Sequence, residues 1–163
     1  MSTMDNLKAA FAGESQANRR YLAFAKKADE EGYRQAAKLF RAAAAAETVH
    51  AHNHLDVMGG VKGTKENLNA AIIGETFEFT EMYPSYIKEA EGEGKNKAKW
   101  SFDVANQVEK IHGELFKEAL AKMGMEEGPD YHVCPVCGNT VAGPAPDKCP
   151  ICDTAKDRFI LVA

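Results

Sequence analysis

Two Glu-x-x-His motifs stand out in the chain, Glu47-Thr48-Val49-His50 and Glu109-Lys110-Ile111-His112. Helical positions three apart share a face, so each motif aims a carboxylate and an imidazole the same way. Both sit in apolar stripes. The first follows the alanine run Ala42 to Ala46 and shares its face with Phe40, Ala44, Ala51, His54 and Met58. The second lies with Phe102, Ala105, Phe116 and Leu120. Burying an unpaired carboxylate is costly, and a bound metal ion is the usual compensation. One such pair alone is a weak signal, because a satisfied core pair or a tilted helix has the same pattern.

Further carboxylates make the case. Glu14 interrupts a helical stripe of Leu7, Phe11, Asn18, Tyr21, Phe24 and Ala25. Glu75 and Glu78 lie among Ile72, Phe79 and Met82, whereas Glu81 falls toward the outer edge and is expected in solvent. Glu14 and Glu75 are 61 residues apart, and the two Glu-x-x-His motifs are 62 apart. The helical part is therefore two similar hairpins, each with a lone Glu on its first helix and Glu-x-x-His on its second. That is the ligand pattern of di-iron and di-manganese carboxylate bundles. Carboxylates and imidazoles suit iron or manganese. Two divalent ions would supply the positive charge that four buried carboxylates need. The repeat is broken at one place: Glu78 corresponds to Ala17. Glu78 makes a seventh candidate ligand and an asymmetric site.

All four cysteines lie late in the chain, as Cys134-Pro-Val-Cys137-Gly138 and Cys149-Pro-Ile-Cys152-Asp153. Two C-x-x-C knuckles with eleven residues between them predict a tetrahedral four-thiolate metal site. Gly138 stands where positive φ is often needed, and Asp153, which tolerates it, stands at the matching place. Zinc would be structural there. Iron would also carry an electron.

Helices must position these groups. The first is expected from about Met4 to Glu31, stopped by Gly32. The second runs from about Tyr33 to Met58 and ends at Gly59-Gly60. Thr64 is the expected N-cap of the third, and Pro84 should kink it and free a carbonyl. The fourth runs from about Lys97 to Met123, with Trp100 covering core. His52 is expected at the surface, His54 in a supporting role, and His132 in packing. The expected fold class is an all-α four-helix bundle (residues 1–128) with a small C-terminal metal module (129–163). The formal charge of −4, from 20 basic and 24 acidic residues, gives no basic footprint for nucleic acid. No run of 18 apolar residues suggests a membrane span. Met1 to Leu7 lacks signal-peptide character, so the expected compartment is the cytoplasm.

These pieces together resemble the rubrerythrin family over essentially the whole chain. The matching pieces are Phe11-Ala-Gly-Glu14-Ser-Gln-Ala17, the two Glu-x-x-His motifs, Gly74-Glu75-x-x-Glu78 leading to Met82-Tyr83-Pro84, and the rubredoxin-like knuckles. The resemblance implies a di-iron site without sulfur ligands in a ferritin-like bundle and an FeS4 site in a rubredoxin-like domain. It implies a peroxidase that reduces hydrogen peroxide to water. Electrons would come from NAD(P)H through a reductase and a small carrier such as rubredoxin. Glu47 and Glu109 match the bridging carboxylates, Glu14 and Glu75 the terminal ligands, and His112 a fixed ligand. Glu78 and His50 match the pair that alternates on the other iron, and Tyr21 and Tyr83 the neighbouring tyrosines. Two other readings stand beside it: a ferroxidase or iron-handling protein, and a non-catalytic zinc-ribbon module on a helical scaffold.

The link between the second and third helices is shorter than in longer family members. A ferritin-like bundle needs those two helices parallel, joined by a crossover. From Met58 to Thr64 that crossover must span ~32 Å, but six extended steps reach only ~21 Å. A third helix starting late, near Leu68, would rescue the link within one chain. Otherwise a homodimer with exchanged hairpins is expected, each site taking Glu14, Glu47 and His50 from one chain and Glu75, Glu78, Glu109 and His112 from the other.

Overall fold

The computed structural model describes residues 2–125 and 127–163; Met1 and Glu126 lie outside it. Two compact units are defined, Met1–Lys62 and Gly63–Ala163.

The first unit is a helical hairpin. Helix α1, Thr3–Glu30, opens with a capping box in which Ser2 N donates to Asp5 Oδ2 (2.8 Å) and Asp5 N donates to Ser2 Oγ (3.2 Å). Gly32, at φ +83°, turns the chain into helix α2, Arg34–Val57. Both helices end within a residue of the sequence expectation. The buried seam is Ala25 and Ala28 on α1 against Ala37, Ala44 and Ala51 on α2. Side chains this small let two backbones approach closely, so the alanine run serves packing as well as helix propensity. The seam is bridged by Asn18, which donates to Ala44 O (2.7 Å) and Thr48 Oγ1 (2.8 Å). The centre of the α2 stripe is thus the alanines. Glu47 is half-buried beside them, and His50 is more exposed than its place in the stripe suggests.

The second unit begins with helix α3, Thr64–Phe77. Its N-cap is Gly63, not Thr64: Glu66 Oε2 accepts from Gly63 N at 3.1 Å, so a carboxylate one turn in satisfies the N–H of the cap residue itself. The predicted kink at Pro84 takes another form. Residues Glu78–Met82 make a π-helical turn, in which Tyr83 N donates to Glu78 O, and helix α4 (Tyr83–Gly92) follows with Pro84 in its first turn. The helix runs on through the π turn, so Pro84 lacks only the one bond that its missing N–H would have made. Helix α5, Asn96–Ala121, packs along α3 and α4, burying Val104, Val108 and Gly113. Trp100 does not cover core; it is 52% exposed near the α5 N-terminus.

The chain ends in a three-stranded antiparallel sheet, order β2-β1-β3, from β1 (Tyr131–Val133), β2 (Thr140–Ala142) and β3 (Ile160–Val162). Its core is shared with α5: Val104 is buried with Cys134, Cys137 and Cys149, flanked by Ile151 and Phe159. Among the described residues no helix is long and apolar enough to cross a membrane.

Candidate metal centres

In the first hairpin, Glu14, Glu47 and His50 place one potential ligand atom each within 4.8 Å of the others. His50 Nδ1 lies 3.0 Å from Glu47 Oε2 and 3.9 Å from Glu14 Oε2. The hydrogen bond between the two carboxylates raises Glu14 and lowers Glu47, so one proton is held between two groups that repel when both are charged. The second unit repeats this with Glu75, Glu109 and His112. His112 Nδ1 is 2.7 Å from Glu109 Oε2 and 4.0 Å from Glu75 Oε2. Burial, and then the Glu109 carboxylate, push Glu75 up to about 7. The His112 hydrogen bond lowers Glu109, and the same bond raises His112.

Glu78 stands outside that tight trio, at the first position of the π turn. Burial, then repulsion from Glu109, raise its carboxyl. Tyr83, which closes the π turn, feels Glu109, Glu78 and Glu75 but is raised chiefly by burial. Tyr21 lies in an aromatic cluster with Phe24 and Phe40. Of the remaining histidines, His52 is exposed, His54 half-buried, and His132 bonds Gly143 O at 2.7 Å. None of the three belongs to either carboxylate trio.

The four thiols converge within 4.8 Å of one another, and all are free. Cys134 Sγ is 3.6 Å from Cys152 Sγ, and Cys137 Sγ is 3.5 Å from Cys149 Sγ. A disulfide is only ~2.05 Å long. A tetrahedron with metal–sulfur bonds of ~2.3 Å has edges of ~3.8 Å, close to the observed separations. The knuckles are built alike. Gly138 N donates to Cys134 O (2.9 Å) and Asp153 N to Cys149 O (3.0 Å). Cys134 N donates to Asn139 O (2.9 Å) and Cys149 N to Thr154 O (2.8 Å). Gly138 and Asp153 take φ of 82° and 59°, as their positions in the two knuckles predicted. Burial opposes ionisation of Cys134, but backbone N–H groups of Cys137 and Val136 and the Thr154 hydroxyl outweigh it and lower the thiol to about 6. Burial raises Cys137. Donors converging on sulfur stabilise thiolate, the form that binds metal.

Two features were not anticipated from sequence. The π turn at Glu78 has no residue signature beyond the nearby Pro84 and the one-residue mismatch in the repeat. Thr140, which reaches His112 across the fold, has none.

These observations define the class: a ferritin-like helical protein with carboxylate–histidine ligands on two hairpins and a four-thiolate module. The chain matches the family model described as "Rubrerythrin" over residues 5–120 and that described as "Rubrerythrin, rubredoxin-like domain" over residues 132–160. Nigerythrin of Nitratidesulfovibrio vulgaris is 38% identical, the match covering 97% of this chain and 85% of that protein. Rubrerythrin-2 of Clostridium acetobutylicum is 36% identical, over 96% and 95%. The structure described as the partially reduced state of nigerythrin aligns with a TM-score of 0.61 at 36% identity, covering 99% of this chain and 87% of that one. The chain belongs to the rubrerythrin family. Its cofactors are two iron ions at a site without sulfur ligands and one iron in an FeS4 site, and the donors fit: hard oxygen and nitrogen for the first, four sulfurs for the second.

The protonation of the metal-free ligands gives a pH test. Glu75 is raised from 4.5 to about 7, so its stabilising contribution is full below 4.5 and is lost as pH rises toward about 7. His112 is raised too, and its contribution is likewise lost on going above its elevated pKa. Glu109 is lowered; its contribution is lost only at the acid end, below 4.5. The Tm of metal-free protein should therefore fall from about pH 5 to about pH 8, and metal loading should remove that fall by balancing ionised carboxylates. A flat profile without metal would show that these shifts are absent.

Proposed function

We propose that the protein is a peroxidase reducing hydrogen peroxide to water, with electrons delivered through its FeS4 centre. What supports this reading is one observation: a single chain carries both the carboxylate–histidine trios and a four-thiolate site. A ferroxidase would use the first but has no need of the second. Iron held by the two trios would supply the electron pair for O–O cleavage, as H2O2 + 2e− + 2H+ gives two waters. The electrons start from NAD(P)H and arrive one at a time through a reductase and a small carrier such as rubredoxin. In this reading residues 1–128 form the di-iron part and 129–163 the electron-transfer module, and the protein acts in the cytoplasm. Glu47 and Glu109 would hold metal as bridging carboxylates, Glu14 and Glu75 as terminal ligands, and His112 as a fixed one. Glu78 and His50 would alternate as ligands at one position. Support for that last role comes from their settings: Glu78 starts a wide turn outside its trio, and the His50 side chain is 54% exposed against 28% for His112. Tyr83, which feels Glu109, Glu78 and Glu75, and Tyr21, by its matching place in the repeat, would serve as hydrogen-bond donors to the site.

The complete site in this proposal comes from two chains. Glu47 to Val57 is ten residues, or ~15 Å of helix, and Thr64 to Glu75 is eleven, or ~16 Å. A crossover between parallel α2 and α3 must span about 31 Å, yet seven steps from Val57 to Thr64 reach only ~25 Å. The late start near Leu68 that would rescue the link is not available, because α3 begins at Thr64. Large apolar side chains on the ligand-bearing helices also await a cover: Val49 is 57% exposed, Ile73 70% and Phe77 52%. A second copy exchanging hairpins supplies both the missing ligands and that cover.

Three outcomes check these readings. Cys149→Ser should abolish steady-state turnover yet leave reduced protein able to react with peroxide once; surviving turnover sinks the relay. Glu78→Ala should fold and bind two metals but react with peroxide at least about tenfold more slowly in stopped flow, a barrier increase of about 1.4 kcal/mol. An unchanged rate removes Glu78 from the mechanism. Co-refolding Glu14→Ala with Glu109→Ala chains should restore activity, because an exchanged heterodimer collects both lesions in one site and leaves the other whole. A mixture as inactive as its parents places each site within one chain.

A further inference from the structure

The two motif histidines differ in what holds the ring nitrogen facing away from the carboxylates. Nε2 of His50 makes no hydrogen bond within its hairpin, among the described residues. Nε2 of His112 lies 2.9 Å from Thr140 Oγ1, on strand β2 of the cysteine module. The Thr140 hydroxyl in turn donates to Gly138 O at 3.1 Å. A hydroxyl has one proton. With that proton committed to Gly138, the Thr140 oxygen is left as acceptor and Nε2 of His112 must be the donor. The bond therefore keeps the proton of neutral His112 on Nε2, so that Nδ1, 2.7 Å from Glu109, is the nitrogen that gives up its proton to a metal.

The anchor at the other end is firm. Gly138 follows Cys137 directly, holds φ 82°, and donates from its own N–H to Cys134 O at 2.9 Å. Any metal that organises the knuckle also fixes the carbonyl that holds Thr140. The cavity wall beside His112 is itself shared between α3, α5 and the module, with Glu75, Leu115, Tyr131 and Val133 lining it.

We propose that Thr140 is a positioning residue for the di-iron site, through which the rubredoxin-like module sets the tautomer and ring orientation of His112. The proposal rests on the di-iron reading of that site. A partner on the far nitrogen of a ligating histidine typically governs metal affinity by ten- to a hundredfold. It also accounts for the division of labour between the histidines: His112 is tethered at both nitrogens, whereas His50 is held at one.

Thr140→Val removes the acceptor while keeping the shape, and Thr140→Ser restores it. Two readouts are taken on full-length protein: the His112 Nε2–H signal by NMR after loading with Zn2+, and Fe2+ affinity by anaerobic competition with a chelator. In Thr140→Val the Nε2–H signal should lose its protection from exchange, and Fe2+ affinity at the carboxylate site should fall by roughly ten- to a hundredfold. The FeS4 absorption should be unchanged, showing that the module is folded. Thr140→Ser should recover both readouts. Wild-type protection and affinity in Thr140→Val overturn the proposal while leaving the di-iron reading intact, as does failure of Thr140→Ser to rescue. If wild-type protein binds no metal at the carboxylates, the di-iron reading fails and takes this inference with it.

Discussion

Two carboxylates placed side by side in a partly dry setting cannot both stay charged unless something positive joins them. Each hairpin of this protein imposes that constraint on itself. Glu14 faces Glu47, and Glu75 faces Glu109, each pair with one histidine beside it. Without metal the pairs settle by splitting their proton affinities, one member raised and the other lowered. The alanine seam of the first hairpin and the close approach at Gly113 in the second hold the helices near enough to enforce this. Both pieces of packing thus store a demand for cation.

Much of this was legible in the sequence because it is periodic. Glu14, Glu47, His50, Glu75, Glu109 and His112 recur at helical spacing and at a near-constant repeat, and helix geometry alone converts such spacing into a shared face. The knuckles were equally plain, since C-x-x-C dictates a turn and Gly138 and Asp153 advertise positive φ. What the sequence hid was set by side-chain reach and tertiary contact. Thr140 is an ordinary strand residue until β2 lies against α5. Trp100 was expected to cover core because it is large and apolar, but size does not specify a neighbour. His50 sits in an apolar stripe on paper yet is exposed, because the alanines next to it form the seam.

The thiolate module has two structural debts to α5. Val104 completes the core around three of the cysteines, and Thr140 reaches His112. Three-residue strands could scarcely sustain a domain by themselves. Docking onto a long helix and binding metal supply what the small sheet lacks. The same docking brings a four-sulfur site and an oxygen–nitrogen site onto neighbouring stretches of one rigid element, so their spacing is not left to a linker.

The π turn explains an arithmetic oddity. Glu14 to Glu75 and Ala17 to Glu78 are both offsets of 61, but Tyr21 to Tyr83, Glu47 to Glu109 and His50 to His112 are all offsets of 62. The segment from Glu78 to Tyr83 is one residue longer than that from Ala17 to Tyr21, and the π turn at Glu78–Met82 is where the helix accommodates the difference. A π turn is an α-helix carrying one surplus residue as a bulge. The two hairpins are thus similar units that fall out of register by one residue, at the very turn that also carries the extra carboxylate. The lopsidedness of the site is a matter of one residue of helix length, not of a different fold in the two halves.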